Sequence, residues 1–226
     1  MLSIDLHVHS EASFDGRDPV DLILSQAEAV GLDAIAITDH DEIWASQEAV
    51  RRAPLYDLLV IPGLEVSTAD GHVLALGVDD TIQPGLSFEE TITRIRDAGG
   101  TAVVPHPYQR SRSGVLANIT PDELATADAI EVYNSRLLTG RSNRQARRFA
   151  DRRGLPMTAG SDAHICEMVG QAITKVDPRE ATVDAILEEI EAGRTVVEGK
   201  RTPWRISFRQ AAAGVRRRIV RRLGRT

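Results

Sequence analysis

Short apolar runs alternate with amphipathic stretches along most of the chain. The runs LSIDL, DAIAIT, LLVIPGLEVS, HVLALGV, TAVVP, AIEVY and PMTAG predict strands. Between them, DPVDLILSQAEAVG, IWASQEAVRRA, SFEETITRIRDAGG, TPDELATA, RSNRQARRFADRRG and TVDAILEEIEAG carry apolar residues at helical spacing. This alternation of strand and helix indicates a parallel sheet covered by helices.

Capping signals mark the ends of three predicted helices. Asp18 stands where the first helix would begin, and Gly31 stands where it would end. Ser87 and Thr120 are each followed three residues later by a glutamate, which is the spacing of a capping box. These positions fix the expected starts of helices within the alternating pattern.

Polar residues collect at the ends of the predicted strands, nearly all of which finish with a histidine, an aspartate or a glutamate. A closed barrel brings all its strand C-termini to one face, whereas an open sheet spreads them along a line. We therefore predict a closed α/β barrel, irregular because the strand count falls near seven.

Charge divides the chain of 226 residues into two parts. Residues 200–226 hold ten of the 27 Lys and Arg residues and no acid, so all 33 acidic residues lie in residues 1–199. We predict a body over residues 1–199 and a basic C-terminal tail helix over residues 200–226. The tail has apolar residues at helical spacing, namely Phe208, Ala212, Val215, Ile219 and Leu223. Three uses of this tail stay open: docking on the acidic body, contact with an anionic membrane, and contact with nucleic-acid phosphates.

The cysteine content and the length of the apolar runs indicate the cellular compartment of the protein. The single cysteine, Cys166, allows no intrachain disulfide, which indicates a reducing environment. No charged and apolar leader precedes Asp5, and no apolar run reaches the roughly 18 residues that cross a bilayer. We expect a cytoplasmic protein without a transmembrane segment.

All six histidines lie at predicted strand termini: His7, His9, His40, His72, His106 and His164. Side chains two apart on a strand point to the same face, so the first two histidines would form half of a metal site. Carboxylates accompany them at Asp5, Asp15, Asp39, Glu65 and Asp162. Imidazole with carboxylate favours Zn, Mn or Fe over copper, and the set is too rich in nitrogen for Ca or Mg alone. We expect Cys166 to be a small buried hydrophobic residue rather than a ligand.

The segments DLHVHS, ITDHD, GLEVS, HP and GSDAH follow one another from Asp5 to His164. In this order they resemble the PHP family, named for polymerase and histidinol phosphatase. The resemblance implies a distorted seven-stranded TIM-like β/α barrel over residues 1–199. It also implies two or three divalent ions at the C-terminal mouth of the barrel, and hydrolysis of phosphoesters.

Carried over by position, the resemblance implies that His7 and His9 bind the first ion, with Glu65 bridging it to the second. Asp162 would complete the first site and face the attacking water, and His106 would belong to the second site. Asp162, Glu65 and His106 are accordingly the expected catalytic residues.

The resemblance also implies ligands for the second and third ions. His72 is the expected further ligand of the second ion, with Asp79 as a competing candidate on the same segment. The third ion would be held by Asp15, His40 and His164.

Outer residues would support the ligands and hold the substrate. The resemblance assigns Asp5 and Asp39 to outer positions, where a carboxylate that accepts the second ring N–H of a histidine fixes its orientation. Arg110 and Arg136 follow strand ends and would each hold a non-reacting phosphate oxygen. Glu131 either points to the mouth or buttresses the barrel.

The favoured function is a phosphoesterase that acts on a small phosphorylated metabolite or nucleotide through a hydroxide bridging two metal ions. A 5′-3′ exonuclease on short RNA or DNA, with the tail holding the strand, is one alternative. Aromatic residues make up only 4% of the chain, which offers few platforms for base stacking. A non-catalytic, metal-stabilised module that binds nucleic acid or a partner is the other alternative.

Overall fold

The computed structural model of the chain describes residues 1–109, 114–137 and 140–200. Its strands are β1 (Leu2–Val8), β2 (Ala34–Ile37), β3 (Leu59–Ile61), β4 (Gly63–Ser67), β5 (His72–Leu76), β6 (Thr101–Val104), β7 (Ala129–Asn134), β8 (Met157–Gly160), β9 (Ala172–Val176) and β10 (Val196–Gly199). Its α-helices are α1 (Val20–Ala29), α2 (Trp44–Arg52), α3 (Phe88–Asp97), α4 (Pro121–Leu124), α5 (Arg141–Arg153) and α6 (Val183–Glu191). The predicted tail helix and Arg110 lie outside the described residues.

The strands form two mixed five-stranded sheets. The first has the order β10-β9-β1-β2-β3, and the second has the order β4-β5-β6-β7-β8. The pairs β1-β2, β2-β3, β6-β7 and β7-β8 are parallel. The pairs β4-β5, β5-β6, β1-β9 and β9-β10 are antiparallel.

The prediction of a closed seven-stranded barrel and a parallel sheet is therefore wrong. The two sheets meet through isolated bridges, Val8 with Ala163 and His40 with Glu65, rather than through a continuous ladder. The run LLVIPGLEVS is divided by Pro62, which lacks the N–H that a central strand donates, and its halves β3 and β4 belong to different sheets. Two further strands, β9 and β10, were not predicted at all.

A shared core packs residues of both sheets together. It joins apolar side chains from β1, β2 and β3 to others from β5, β6 and β7, with helix α6 alongside: Ile4, Leu6, Ala34, Ala36, Ile61, Leu74, Leu76, Val103 and Ala129 are among its members. Burial of this apolar surface fixes the two sheets against each other, and so places the polar strand ends. Within the described residues, no helix has both the length and the apolar character that crossing a bilayer requires.

The helix caps follow the sequence in part. The Thr120 hydroxyl accepts from the Glu123 N–H and the Glu123 carboxylate accepts from the Thr120 N–H, so this capping box is confirmed. Ser87 also caps its helix, as predicted. The prediction of Asp18 as a cap is wrong, because its Oδ2 accepts from the backbone N–H of Cys166 at 2.6 Å.

Candidate metal centre

Nine predicted ligands lie together where the ends of the two sheets meet: His7, His9, Asp15, His40, Glu65, His72, His106, Asp162 and His164. We call these nine residues the candidate metal centre. Most of them are buried. His7 and His9 come from the end of β1, and their Nε2 atoms are 3.1 Å apart, as expected for side chains on one face of a strand.

The carboxylate of Glu65 lies at the middle of the candidate metal centre. Its Oε2 is 3.4 Å from the Nε2 of His7 and 3.2 Å from the Nε2 of His9. Oε2 is also 3.4 Å from His40 Nδ1. Its Oε1 is 2.9 Å from His72 Nδ1 and 3.5 Å from His106 Nε2. One buried carboxylate is thus shared by five imidazoles.

His164 connects the remaining carboxylates of the candidate metal centre. Its Nε2 is 2.6 Å from Asp15 Oδ2, and its Nδ1 is 3.2 Å from Asp162 Oδ1. Arg136 is also here, because its Nη1 is 3.0 Å from Asp162 Oδ1 and 2.6 Å from His164 Nε2. The predicted phosphate-binding arginine therefore lies beside predicted ligands.

Four overlapping groups bring ligand atoms within 4.8 Å of one another. They are His7 with His106 and Asp162; His7 with His9 and Glu65; His9 with Asp15 and His164; and His40 with Glu65 and His72. Each group combines imidazole nitrogen with carboxylate oxygen, which is the donor set of Zn, Mn and Fe sites.

Hydrogen bonding to the rings favours a cation in these groups. The Nδ1 of His7 lies 3.0 Å from Glu131 Oε1; in the neutral ring this contact places the proton on Nδ1 and leaves the Nε2 lone pair facing His9 and Glu65. Only a proton or a metal cation fits between such acceptors. Among the described residues, His40 Nδ1, His72 Nδ1 and Glu65 Oε1 are buried without a partner in hydrogen-bond geometry. Unpaired buried polar atoms are costly, so these atoms fit a metal.

Charge within the candidate metal centre shifts its pKa values strongly. Burial alone would lower the pKa of His7, but the carboxylates of Glu131, Glu65 and Asp162 raise it well above its usual range. Burial would raise the pKa of Glu65, yet the surrounding imidazoles hold it well below its usual range. Burial and the Arg136 guanidinium lower the pKa of His164 to about 3, so that ring is neutral.

Two candidate ligands have unusual backbone geometry. His106 has φ 33° and Asp162 has φ 51°, in the left-handed region that side chains with a Cβ rarely adopt. Such strain typically costs on the order of 1–3 kcal/mol and clusters at functional sites. The N–H of His106 donates to Glu131 Oε2 at 2.9 Å, which helps to hold its conformation.

Comparison with known proteins agrees with this geometry. The PHP domain family matches residues 5–149, and the PHP-associated family matches residues 140–195. The chain belongs to the PHP family. The resemblance stated from the sequence is confirmed.

Three similar proteins illustrate the PHP family. An uncharacterized protein of Methanocaldococcus jannaschii is 30% identical over 178 residues, which are 77% of this chain and 70% of that protein. A 5′-3′ exoribonuclease of Haemophilus influenzae is 37% identical over 129 residues, 51% of this chain and 46% of the exoribonuclease. The crystal structure of a two-domain Bacteroides vulgatus protein, containing a predicted PHP-like metal-dependent phosphoesterase, has a TM-score of 0.75 at 22% identity and covers 88% of this chain and 64% of that one. The chain spans less than two thirds of the length of the last two.

His72, rather than Asp79, lies in the candidate metal centre of this PHP chain. Strand β5 runs antiparallel to β4, so its first residue, His72, and not its C-terminal end, pairs with Ser67 near Glu65. Asp79 is exposed and belongs to none of the four ligand groups.

Cys166 is partly buried and lies near Asp18 and Glu167. Burial has the largest effect on its thiol, and together with these two acids it raises the pKa to about 11.

The buried carboxylates outside the candidate metal centre make different kinds of contact. Glu131, which the sequence left open, orients the His7 ring and also accepts from the Asn134 side chain at 2.9 Å. Asn134 in turn donates to Asp162 Oδ2 at 3.2 Å. The only signal for Asn134 in the sequence is a polar residue at the end of an apolar strand.

Asp5 and Asp39 hold backbone rather than imidazole rings. Asp5 accepts from the N–H groups of Ser161 at 3.0 Å and Gly170 at 2.8 Å, and burial raises its pKa to about 6. Asp39 accepts both the N–H and the hydroxyl of Ser10, at 2.7 and 2.6 Å. Their contacts hold the loops after β1 and β8 rather than the rings of the candidate ligands.

We expect Glu131→Gln to weaken metal binding by about 10- to 100-fold, the usual effect of removing an outer carboxylate that orients a ligating histidine. The charge that fixes the His7 ring is lost while the side-chain volume is kept. Metal affinity is measured by competition with a chromogenic chelator.

Asp5→Asn is the matched control, because it removes an equally buried charge that binds backbone N–H groups. It is expected to lower the free energy of unfolding by about 1–3 kcal/mol, with a much smaller change in metal affinity. Equal losses of metal affinity in both variants would contradict the assigned role of Glu131.

Proposed function

We propose that this PHP chain is a metal-dependent phosphoesterase that hydrolyses phosphate esters of a small metabolite or nucleotide. The observation that carries the proposal is the sharing of one buried carboxylate, Glu65, by five imidazoles within 3.5 Å. A folded core alone does not require so many ligand atoms to converge, whereas a cluster of divalent cations does.

The candidate metal centre would hold two or three divalent ions through its four overlapping groups. Bound cations would activate a water at neutral pH and neutralise charge on a phosphoryl group. The most exposed members of the centre are His72 and Asp15, whose side chains are 18% and 26% exposed. Because the site is so deeply buried, it would admit one end of a small substrate more readily than the middle of a duplex.

Asp162 is the residue we assign to orienting the attacking water. Its Oδ2 accepts from Asn134 at 3.2 Å and its Oδ1 accepts from Arg136 at 3.0 Å, so the carboxylate is fixed from both sides. Burial would raise its pKa, but Arg136 and the histidines hold it well below its usual range. The carboxylate therefore stays ionised and can accept a hydrogen bond from water throughout the neutral range.

Arg136 is the residue we assign to the substrate phosphate. Its Nη1 is occupied by Asp162 and His164, but its buried Nε has no partner among the described residues. A guanidinium has five N–H donors, so it can keep Asp162 in place and still donate to a non-reacting phosphate oxygen.

The proposal is tested by removing metal with a chelator and restoring Mn or Zn in separate aliquots. We expect turnover of p-nitrophenyl phosphate or of a nucleotide only after metal is restored, and none in His7→Ala. Metal content is measured beside activity in every sample. A metal-loaded protein with no turnover on monoester, diester or nucleotide substrates would contradict the proposal and favour the non-catalytic binding module.

A 5′-3′ exonuclease is the second candidate, supported by the 37% identity to the Haemophilus influenzae exoribonuclease over about half of this chain. The two candidates differ in product. Successive release of mononucleotides from 5′-phosphorylated RNA, faster than hydrolysis of any mononucleotide, would favour the exonuclease.

A further inference from the structure

The loop after β1 carries an aromatic side chain that contacts the candidate metal centre from outside. Phe14 is 66% exposed, and its ring stacks on the imidazole of His40 with the ring centroids 4.8 Å apart and an angle of 19° between the planes. Exposed apolar side chains are common on protein surfaces, so exposure by itself indicates little. The contact with a candidate metal ligand is what distinguishes this ring.

Solvent reaches the candidate metal centre on the side where Phe14 lies. The two most exposed members of the centre both neighbour His40. Asp15 Oδ1 is 3.8 Å from His40 Nε2, and the ring centroid of His72 is 4.8 Å from that of His40. The six members other than these three residues are at most 5% exposed. A substrate whose phosphate lies in the centre would therefore extend outward past the Phe14 ring.

The backbone around Phe14 is held in place before any substrate binds. The residue before it, Ser13, donates from its hydroxyl to the residue after it, at Asp15 Oδ1, over 2.9 Å. A Cβ at Gly16 would clash with the carbonyl oxygen of Ser10, so the loop closes on itself as tightly as glycine allows. Such a fixed loop lowers the entropic cost of binding a ligand against it.

The Phe14 ring has one covered face and one open face. Its inner face lies on His40, which is its ring partner among the described residues, and its large exposure leaves the outer face to solvent. Two aromatic rings attract each other beyond the area that they bury. An open aromatic face at the mouth of the centre therefore suits a planar aromatic ring better than a saturated one.

We propose that Phe14 is a specificity-determining residue, which stacks on a planar aromatic group in the part of the substrate that lies outside the candidate metal centre. This inference rests on the proposed function and narrows its substrate class to phosphate esters that carry an aromatic ring. The phosphate would bind in the centre while the ring lies on the outer face of Phe14. The residue selects the substrate and takes no part in the chemical step.

The test measures the affinity of the metal-loaded protein for phosphonates, whose C–P bond replaces the ester bond and is not hydrolysed. Benzylphosphonate and 3-phenylpropylphosphonate place an aromatic ring at two distances from phosphorus. Each is compared by calorimetry with the analogue that carries a cyclohexyl ring, which is similar in size and apolar but not planar. We expect at least one aromatic phosphonate to bind about 5-fold more tightly than its cyclohexyl analogue.

Phe14→Leu is expected to reduce this preference to less than about 2-fold, because leucine still covers His40 but has no planar face. Phe14→Tyr keeps the ring and is expected to keep the preference. Trp44→Leu is the matched control. It removes another exposed aromatic side chain, at the start of α2, which is not a ring partner of His40 in the described part of the chain.

Metal content and thermal unfolding show that each variant is loaded and folded. The inference is overturned by equal affinities within both pairs of phosphonates, by the absence of binding of all four, or by a preference that survives in Phe14→Leu. An equal loss of preference in Phe14→Leu and Trp44→Leu overturns it as well. Failure of the proposed function is distinct, because it appears as a metal-loaded protein without phosphoester turnover, whereas the phosphonate affinities do not depend on turnover.

Discussion

Glu65→Gln is expected to lower phosphoesterase turnover by about a thousandfold, equivalent to about 4 kcal/mol of activation free energy. The substitution keeps the size of the side chain but removes the charge that two of the four ligand groups share. A neutral amide has one acceptor oxygen and cannot join two cations. We expect the variant to bind at least one metal ion fewer per chain, as measured by elemental analysis alongside turnover.

Asp79→Asn is the control for this experiment. It removes the same charge from a residue that was also a candidate ligand in the sequence, but that is exposed and outside the four groups. Metal content and turnover are expected to match the unmodified protein. A Glu65→Gln protein with its full metal content and normal turnover would show that the carboxylate at the middle of the cluster binds no metal.

Gly160→Ala is expected to have the second largest effect. Strand β8 passes so close to β1 that a Cβ at Gly160 would lie 2.4 Å from the Cβ of His7 and 2.7 Å from Glu131 Oε1. The added methyl must displace the ring that Glu131 orients. We expect the free energy of unfolding to fall by about 1–3 kcal/mol, as for overpacked cores, and metal affinity to fall by about 10- to 100-fold.

Gly154→Ala separates these two losses. Gly154 ends α5 with φ 64°, and a Cβ there meets no atom within 4 Å. Backbone strain alone should lower the free energy of unfolding by about 1 kcal/mol and leave metal affinity unchanged. Thermal unfolding with and without metal measures both quantities. If Gly160→Ala lost stability but kept full metal affinity, the close approach of β8 would not set the His7 ring.

The sequence predicted which residues lie close together better than it predicted the fold that positions them. His7, His9 and Glu65 were identifiable because ligand chemistry restricts residue type and because two side chains on one strand face share a period of two. Strand direction has no comparable signal. His72 begins the predicted strand HVLALGV, so it joins the C-terminal ends of other strands only because that strand runs antiparallel, which the sequence did not predict.

The pattern of the sequence could not predict the connectivity of the sheets or the contacts of residues outside the ligand set, and the reasons are physical. The convergence of polar strand ends does not require closure, so it did not distinguish a barrel from two sheets. Glu131 reaches His7 across 124 positions of sequence, a contact that arises only when β7 and β8 lie beside β1 in the folded chain. Asp18, suited by type to a helix cap, instead binds a backbone N–H at Cys166.

The isolated bridges between the sheets have a consequence for stability. Val8 with Ala163 and His40 with Glu65 are bridges that flank ligands, and those ligands come from both halves of the molecule: His7, His9 and His40 from one, Glu65, His72 and His106 from the other. Metal uptake by the candidate metal centre would thereby be coupled to the docking of one half of the fold on the other. Because a cation that binds only the docked arrangement stabilises it by mass action, chelation should lower the free energy of unfolding of the two halves together, which share one core.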